Sequence, residues 1–253
     1  MRKTLPLILS LSLVVLLSTP PQATAAWPAS VGRQSAARND APAGPAQNVL
    51  IFWTDGPKLK AITLMAINPG HKPVGIVSIP INTRLYDVGG ARTLEELYRR
   101  EGRPGTTAYL EKRFGISINN YVDISQDALA RTSDALGPVE MAGKKTSLLE
   151  VFEGTYTSQR MDLQAEIRAL AARLIEPAVL VKIPRLLWIF TTGTETNMGA
   201  GNILTIYNTL RGNGPEILRK QALPGRECFT GTGKYREVSP DAWSRVLRDV
   251  TSA

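Results

Sequence analysis

Gln47–Gly56 has the sequence QNVLIFWTDG, and this stretch decides the fold. The apolar run from Asn48 to Trp53, followed by Thr-Asp-Gly, predicts a buried strand that leads into a loop. Two more strands are predicted at Ile62–Ile67 and Val74–Ile79. The turn Asn68–Gly70 joins them, because its proline presets φ and its glycine tolerates positive φ. The domain therefore begins with three consecutive strands.

The residues after these strands alternate between helical and extended patterns. Thr93 and Glu96 form a capping box, which predicts the start of a helix. The later predicted elements are a second helix over Tyr109, Leu110 and Phe114 that ends at Gly115, a strand at Ile116–Ile124, a helix capped by Ser125 and ending at Leu136, a short strand at Val139–Met141, a long amphipathic helix at Leu163–Leu174, a strand at Ile217–Leu223 and a closing helix begun by Ser239-Pro240. This order predicts an α/β fold: a single domain with a mixed central β-sheet flanked by α-helices.

The N-terminal segment predicts export. Arg2 and Lys3 precede the apolar run Leu5–Leu17, and small residues follow, so 1–26 has the order of a signal peptide. A membrane anchor is the alternative, but the run is shorter than the roughly 20 residues that a spanning helix needs. Residues 27–46 are rich in Pro, Ala and Ser and predict a disordered linker. One domain is then predicted at 47–253, outside the cytoplasmic membrane.

Charge and rare residues limit the classes of partner and site. The formal net charge is +8, and loss of Arg2 and Lys3 with the signal peptide would leave +6. A basic surface suits anionic envelope polymers, pyrophosphate carriers and contact with the membrane surface, although ordinary solubility charge explains it equally well. Export excludes nucleic acid as a partner. Cys228 and His71 are the only residues of their types, so neither an internal disulfide nor a Cys/His zinc site is expected.

Four segments of the chain resemble one family of envelope proteins. They are QNVLIFWTDG at 47–56, ITLMAINPGHKPVGIVSIPINT at 62–83, TLEELYRREGRPGTTAYLEKRFGISINNYV at 93–122 and SDALGPVEM at 133–141. This pattern resembles the LytR-CpsA-Psr (LCP) family, whose members transfer glycopolymers from a polyprenyl-pyrophosphate carrier to the cell wall. The resemblance implies an LCP-like α/β domain and an extracytoplasmic place in cell-wall biogenesis.

The resemblance also implies a site in the loop after the first strand, where this chain departs from the family. The family has a Thr-Asp-x-Arg loop and an Asp that leads the second strand, and these acidic residues hold a magnesium ion. Here Asp55 is retained, Pro57 takes the Arg position with Lys58 beside it, and the second Asp becomes Lys60. Metal binding at this point is therefore predicted to be lost, and no cofactor is expected.

A second departure follows the third strand, where the family has Ser-Ile-Pro-Arg-Asp-Thr. In this chain Ile81 and Asn82 occupy the Arg and Asp positions. Arg84 lies three residues beyond the expected Arg and is a candidate replacement, but an odd offset along an extended segment points a side chain to the opposite face. A solvated surface position is the alternative for Arg84.

The family's last motif, Asp-x-x-Arg-x-x-Arg-Gln, aligns with Thr157–Gln164. It keeps Arg160 and Gln164. Arg160 near a helix N-terminus could contact a phosphate; pairing with Asp162 or Glu166 is the equal alternative. The candidate catalytic residues are thus Arg160 and Arg84, and the candidate substrate-binding residues are Asp55, Lys58, Lys60, Asn82 and Gln164.

Two functions remain open from the sequence. The first is a binder of polyprenyl-(pyro)phosphate-linked glycan with weak or no transferase activity. The second is an active phosphotransferase that ligates a glycopolymer from the undecaprenyl-pyrophosphate carrier to peptidoglycan. Because Lys60, Ile81 and Asn82 replace expected functional residues, and the loss of one charge-stabilising group costs orders of magnitude in rate, binding is favoured.

Overall fold

A computed structural model describes residues 47–67, 73–86, 92–141, 144–153, 168, 179, 182–199, 214–231 and 233–252. Six strands form a mixed central sheet: β1 (Gln47–Asp55), β2 (Lys58–Ile67), β3 (Val74–Ile79), β4 (Asn120–Ser125), β7 (Thr194–Thr196) and β8 (Leu218–Ala222). Their order across the sheet is β7-β4-β1-β2-β3-β8. β1 pairs antiparallel with β2 and parallel with β4, and β3 pairs antiparallel with β2 and parallel with β8.

Two small hairpins complete the described strands. They are β5 (Val139–Met141) with β6 (Lys144–Thr146), and β9 (Arg226–Thr230) with β10 (Gly233–Glu237). The helices are α1 (Leu94–Phe114), α2 (Gln126–Leu136), α3 (Leu148–Glu153), α4 (Ile183–Gly193) and α5 (Pro240–Thr251), with a short 3₁₀ helix at Pro215–Ile217. In the described part of the chain no helix is both long and apolar enough to cross a bilayer.

Helices cover both faces of the sheet, and β1 is therefore buried on both sides. Leu50 and Phe52 face a core that α1 and α5 close, whereas Trp53 faces a smaller cluster formed with α2, α3 and α4. α5 lies very close to β3: a Cβ atom added to Gly75 would come within 2.7 Å of Val250 Cγ2. The α/β architecture with a mixed central sheet is therefore confirmed.

The four strands predicted for the sheet are all present in it. β3 has the predicted bounds, and β1 and β2 extend a few residues beyond the predicted runs. The strand predicted at Ile116–Ile124 begins only at Asn120. The reason is local: the Ile118 amide donates to Glu111 Oε1, and the Ser117 carbonyl accepts from Asn48 Nδ2, so this backbone bonds to the end of α1 and to β1 as a loop.

The two predicted helices between Thr93 and Gly115 are both present, and they are joined directly at a kink. α1 is kinked at Gly102, whose φ of 65° and ψ of −161° are not helical. Pro104 follows the kink and can start the second half because the first helical turn lacks amide partners anyway. The Thr93 cap is confirmed, because its hydroxyl accepts from the Glu96 amide, whereas the Glu96 carboxylate accepts from the Arg92 amide, one residue before the cap.

The predictions for the second half of the chain have mixed outcomes. α2 begins at its Ser125 cap and ends at Leu136 as predicted. Ser239 is the N-cap of α5, but its side chain makes no capping hydrogen bond. The β9–β10 hairpin was not predicted as strands, and Gly231 lies in its turn. The helix predicted at 163–174 lies outside the described residues except for Arg168.

Candidate functional site

The turn between β1 and β2 brings Asp55 close to Lys58 and Lys60. Asp55 pairs with Lys58 across the hairpin, and Gly56 takes the positive φ of 57° that this tight turn requires. The strand register shifts between Trp53 and Thr54, so that Lys60 has no partner on β1. Such a bulge changes the direction of a side chain at a sheet edge. Lys60 Nζ lies 3.9 Å from Asp55 Oδ2.

This hairpin is exposed, and its ion pair is weak. The side chains of Lys60 and Asp55 are 37% and 53% exposed. An exposed pair of this kind contributes at most about 1 kcal/mol. The Lys60 ammonium group can therefore exchange this contact for an anionic ligand at little cost.

A second carboxylate, Asp123, lies on β4 next to β1. Its Oδ1 accepts from the Thr54 hydroxyl at 3.0 Å, and its Oδ2 accepts from the Tyr98 hydroxyl at 3.1 Å. Tyr98 comes from α1 and packs on Phe52 with ring centroids 5.5 Å apart. Burial, followed by the nearby Asp123 carboxylate, raises the pKa of Tyr98 to about 12. Asp123 thus joins β4 to β1 through Oδ1 and the sheet to α1 through Oδ2.

The raised pKa of Tyr98 predicts a loss of stability at alkaline pH. The native state favours the protonated phenol, so its contribution is complete below the ordinary pKa of 10.0 and is lost as pH rises towards about 12. One pKa unit corresponds to about 1.4 kcal/mol; because Tyr98 is only partly buried, solvent screening reduces the effect, and we expect a loss of about 1 to 2 kcal/mol between those values. Urea unfolding of the unmodified protein and Tyr98→Phe should show it as a pH-dependent difference. A constant difference across this range, or the same pH dependence for Tyr121→Phe, would contradict the assignment.

The segment after β3 is held by hydrogen bonds to its own backbone and to the start of α1. The Ile81 carbonyl accepts from the Glu95 amide at 3.0 Å, and the buried Thr83 hydroxyl donates to the Pro80 carbonyl. The Ile81 side chain packs against the main core. Asn82 binds β10, because its Nδ2 donates to the Lys234 carbonyl and its own carbonyl accepts from the Arg236 amide.

Arg84 makes its ion pair with a residue of β10. Its Nη1 lies 2.9 Å from Glu237 Oε1, and its guanidinium carbon lies 5.6 Å from the Tyr86 ring centroid. Hydrogen bonds lower the pKa of Glu237, the first from the Cys228 thiol and the next from Arg84 and Tyr86. The structure therefore gives Arg84 neighbours other than Asp55, Lys58 and Lys60.

Two of the seven candidate residues, Arg160 and Gln164, lie outside the described residues. Of the other five, Asp55, Lys58 and Lys60 come together at the β1–β2 turn, while Asn82 and Arg84 contact β10. Arg113, Arg226 and Arg245, which line a cleft together with Arg84, were missed by the sequence analysis. They come from α1, β9 and α5, and no local motif connects these three segments.

The described residues do not fit a divalent cation at the β1–β2 turn. Magnesium requires several oxygen ligands with little competing positive charge. Asp55 instead pairs with Lys60 and lies opposite Lys58 in the strand register, and both oxygens of Asp123 accept hydroxyl hydrogen bonds. In the described ranges there is no group of three or more His, Cys, Asp or Glu residues that could hold a metal ion.

The comparison with known protein families gives a match in the N-terminal part of the chain. The LytR-CpsA-Psr family model matches residues 31–156, which include β1 to β4, α1 and α2. The chain belongs to the LytR-CpsA-Psr family. No curated protein matches it.

Solved structures share the LCP fold at low sequence identity. TagV from Bacillus subtilis has a TM-score of 0.62 and 17% identity, with 81% of this chain and 95% of TagV covered. Lin1025 from Listeria innocua has a TM-score of 0.58 and 18% identity, covering 82% and 98%. A structure of TagT bound to LI-WTA has a TM-score of 0.57 and 15% identity, covering 82% and 91%. The LCP fold thus extends well beyond the matched family segment.

Proposed function

We propose that this LCP protein binds a polyprenyl-(pyro)phosphate-linked glycan on the outer side of the cytoplasmic membrane and has weak or no transferase activity. Proteins of the family act on anionic cell-wall glycopolymers, and TagT has been solved with LI-WTA bound. The observation that carries the proposal is the position of Lys60. Its ammonium lies beside Asp55, where the family pattern has a second carboxylate.

Charge at the β1–β2 turn favours binding a phosphate without a metal. Phosphoryl transfer needs cations around the bridging and leaving oxygens. A divalent ion between two carboxylates would supply them, but here one carboxylate, Asp55, pairs with the Lys60 ammonium, and Lys58 lies opposite it in the hairpin. Lys58 and Lys60 lie two residues apart on β2, and both side chains are exposed on either side of the buried Leu59. Together they provide a positive site for an anion.

The residues after β3 explain why turnover is expected to be weak. Ile81 stands where the family has its arginine, and it packs against the core instead of reaching a phosphate. Asn82 stands at the acidic position, and its amide is bonded to β10. Arg84, the candidate replacement, pairs with Glu237. None of these three side chains supplies a free cation to the β1–β2 turn.

An exposed aromatic ring packed on Trp53 of β1 supports a lipid-linked ligand. Phe152 is 45% exposed and packs edge-on against Trp53, with ring centroids 5.9 Å apart. Trp53 precedes Asp55 by two residues on the same strand. A ligand with a pyrophosphate and a prenyl chain could therefore place charge against the lysines and carbon against Phe152.

Calorimetric titration with farnesyl pyrophosphate, a soluble polyprenyl pyrophosphate, tests this function. We expect Lys58→Gln/Lys60→Gln to weaken binding by about tenfold, because two charge-assisted contacts are removed. The matched control is Lys144→Gln/Lys145→Gln, which removes two exposed lysines from β6. Equal affinity for the unmodified protein and both double variants would refute the site, and no binding at all would refute the function.

A further inference from the structure

A cleft of about 720 Å³ lies on the side of the molecule formed by the end of α1, the β9–β10 hairpin and the start of α5. Four arginines line it: Arg84, Arg113, Arg226 and Arg245. Asp55, Lys58 and Lys60 are not among its lining residues, so this cleft is separate from the β1–β2 turn. Its volume is in the range of small-ligand pockets, roughly 300 to 1,000 Å³.

The charge of the cleft is only partly compensated. Glu237 is the one carboxylate among the described lining residues, and Arg84 and the Tyr86 hydroxyl both contact its Oε1. Four arginines against one glutamate leave a formal charge of +3. Within the described ranges, Arg226 and Arg245 have no carboxylate partner, and both are exposed at the cleft. The cleft therefore attracts anions.

Arg113 is held in position before any ligand arrives. Its Nε donates to the Tyr109 hydroxyl at 2.9 Å, and its Nη2 donates to the Tyr86 carbonyl at 3.1 Å. Its guanidinium carbon lies 5.0 Å from the Tyr109 ring centroid. These contacts fix the plane of the guanidinium, and no acid in the described part of the chain pairs with it. A fixed guanidinium suits phosphate and carboxylate groups, which accept two parallel hydrogen bonds.

Aromatic rings give the same cleft an apolar wall. Tyr86 is 45% exposed, and Tyr109 packs edge-on against Trp243, with ring centroids 6.5 Å apart. Gly225 lies close against the backbone of β10, because a Cβ atom there would lie 2.5 Å from the Glu237 carbonyl oxygen. An inorganic anion would use only the arginines. A sugar ring with an attached phosphate would use the arginines and also cover the exposed face of Tyr86.

We propose that this cleft is a second binding site, specific for a phosphorylated saccharide unit. It binds the glycan portion of a ligand whether or not a lipid carrier is attached. The proposal rests on the proposed function only for the source of that saccharide, namely an envelope glycopolymer. The site itself is defined by the four arginines and the Tyr86 ring.

The test is calorimetric titration of the full chain with glucose 1-phosphate, glucose and inorganic phosphate. We expect glucose 1-phosphate to bind more tightly than either of the other two, because only it uses both the arginines and the aromatic wall. Arg226→Gln/Arg245→Gln should weaken its binding by about tenfold or more, since two charge-assisted contacts are lost. The matched control, Arg219→Gln/Arg248→Gln, removes the same charge from β8 and α5 outside the cleft.

Three results would overturn the proposal. They are no binding of glucose 1-phosphate, equal weakening in both double variants, and inorganic phosphate binding as tightly as the sugar phosphate. Lys58→Gln/Lys60→Gln separates this site from the proposed function. It should weaken farnesyl pyrophosphate binding and leave the affinity for glucose 1-phosphate unchanged.

Discussion

The unmodified protein is expected to release no measurable polyprenyl phosphate from a polyprenyl-pyrophosphate-linked glycan in the presence of magnesium. The triple variant Lys60→Asp, Ile81→Arg and Asn82→Asp restores three of the charged residues of the family pattern. We expect it to gain turnover by about a hundredfold or more over the unmodified protein, because one charge-stabilising donor alone contributes about that much. The assay measures the released lipid-linked phosphate.

Single restorations are expected to achieve little, because groups that act as one unit are strongly non-additive. Asn82→Asp carries a structural cost: it replaces the amide that donates to the Lys234 carbonyl with a carboxylate that repels it. We expect this change to lower the free energy of unfolding by about 0.5 to 1.5 kcal/mol, because the lost hydrogen bond is exposed. Urea unfolding of each variant therefore accompanies the assay. Ready turnover by the unmodified protein would show that other residues perform the missing roles.

Truncation of Phe52 to alanine is expected to have the largest effect on stability. Phe52 is 0% exposed, lies on the central strand β1 and packs on Tyr98 of α1. Phe→Ala at such a position lowers the free energy of unfolding by about 3 to 5 kcal/mol, because a cavity remains between sheet and helix. Phe229→Ala is the matched control. Phe229 is 75% exposed on β9, so we expect a change within about 0.5 kcal/mol.

Chemical unfolding followed by circular dichroism measures both variants. If Phe52→Ala and Phe229→Ala were equally stable, the packing of α1 on the central sheet would be wrong. The comparison is sharp because the same atoms are removed at both positions and only their surroundings differ.

The sequence predicted the parts of the fold that depend on local chemistry. Apolar runs located β1, β2 and β3, and the caps at Thr93 and Ser125 located the starts of α1 and α2. The limits of β4 could not be predicted, because Glu111 binds the Ile118 amide from a different element. That contact exists only after α1 and the loop have come together.

The β9–β10 hairpin was missed for a related reason. Its strands carry charged residues and an exposed phenylalanine, so they lack the buried apolar alternation by which strands are predicted. The hairpin nevertheless determines the surroundings of Asn82 and Arg84. The opposite-face argument alone could not reveal that Arg84 pairs with Glu237, a residue 153 positions away.

The candidate site was predictable only where residues are close in sequence. Asp55, Lys58 and Lys60 lie within one hairpin, and their proximity follows from the turn at Gly56. The arginine cleft is assembled from segments far apart in the chain. Its composition appears only when α1, the β9–β10 hairpin and α5 are placed together.

The central claim is that lysine charge has replaced a metal ion at the β1–β2 turn. The most direct measurement is the farnesyl pyrophosphate titration of the unmodified protein, repeated with EDTA, with magnesium and at increasing salt concentration. The account predicts the same affinity with EDTA and with magnesium, and weaker binding as salt screens Lys58 and Lys60. Binding that appears only with magnesium and is abolished by EDTA would contradict it.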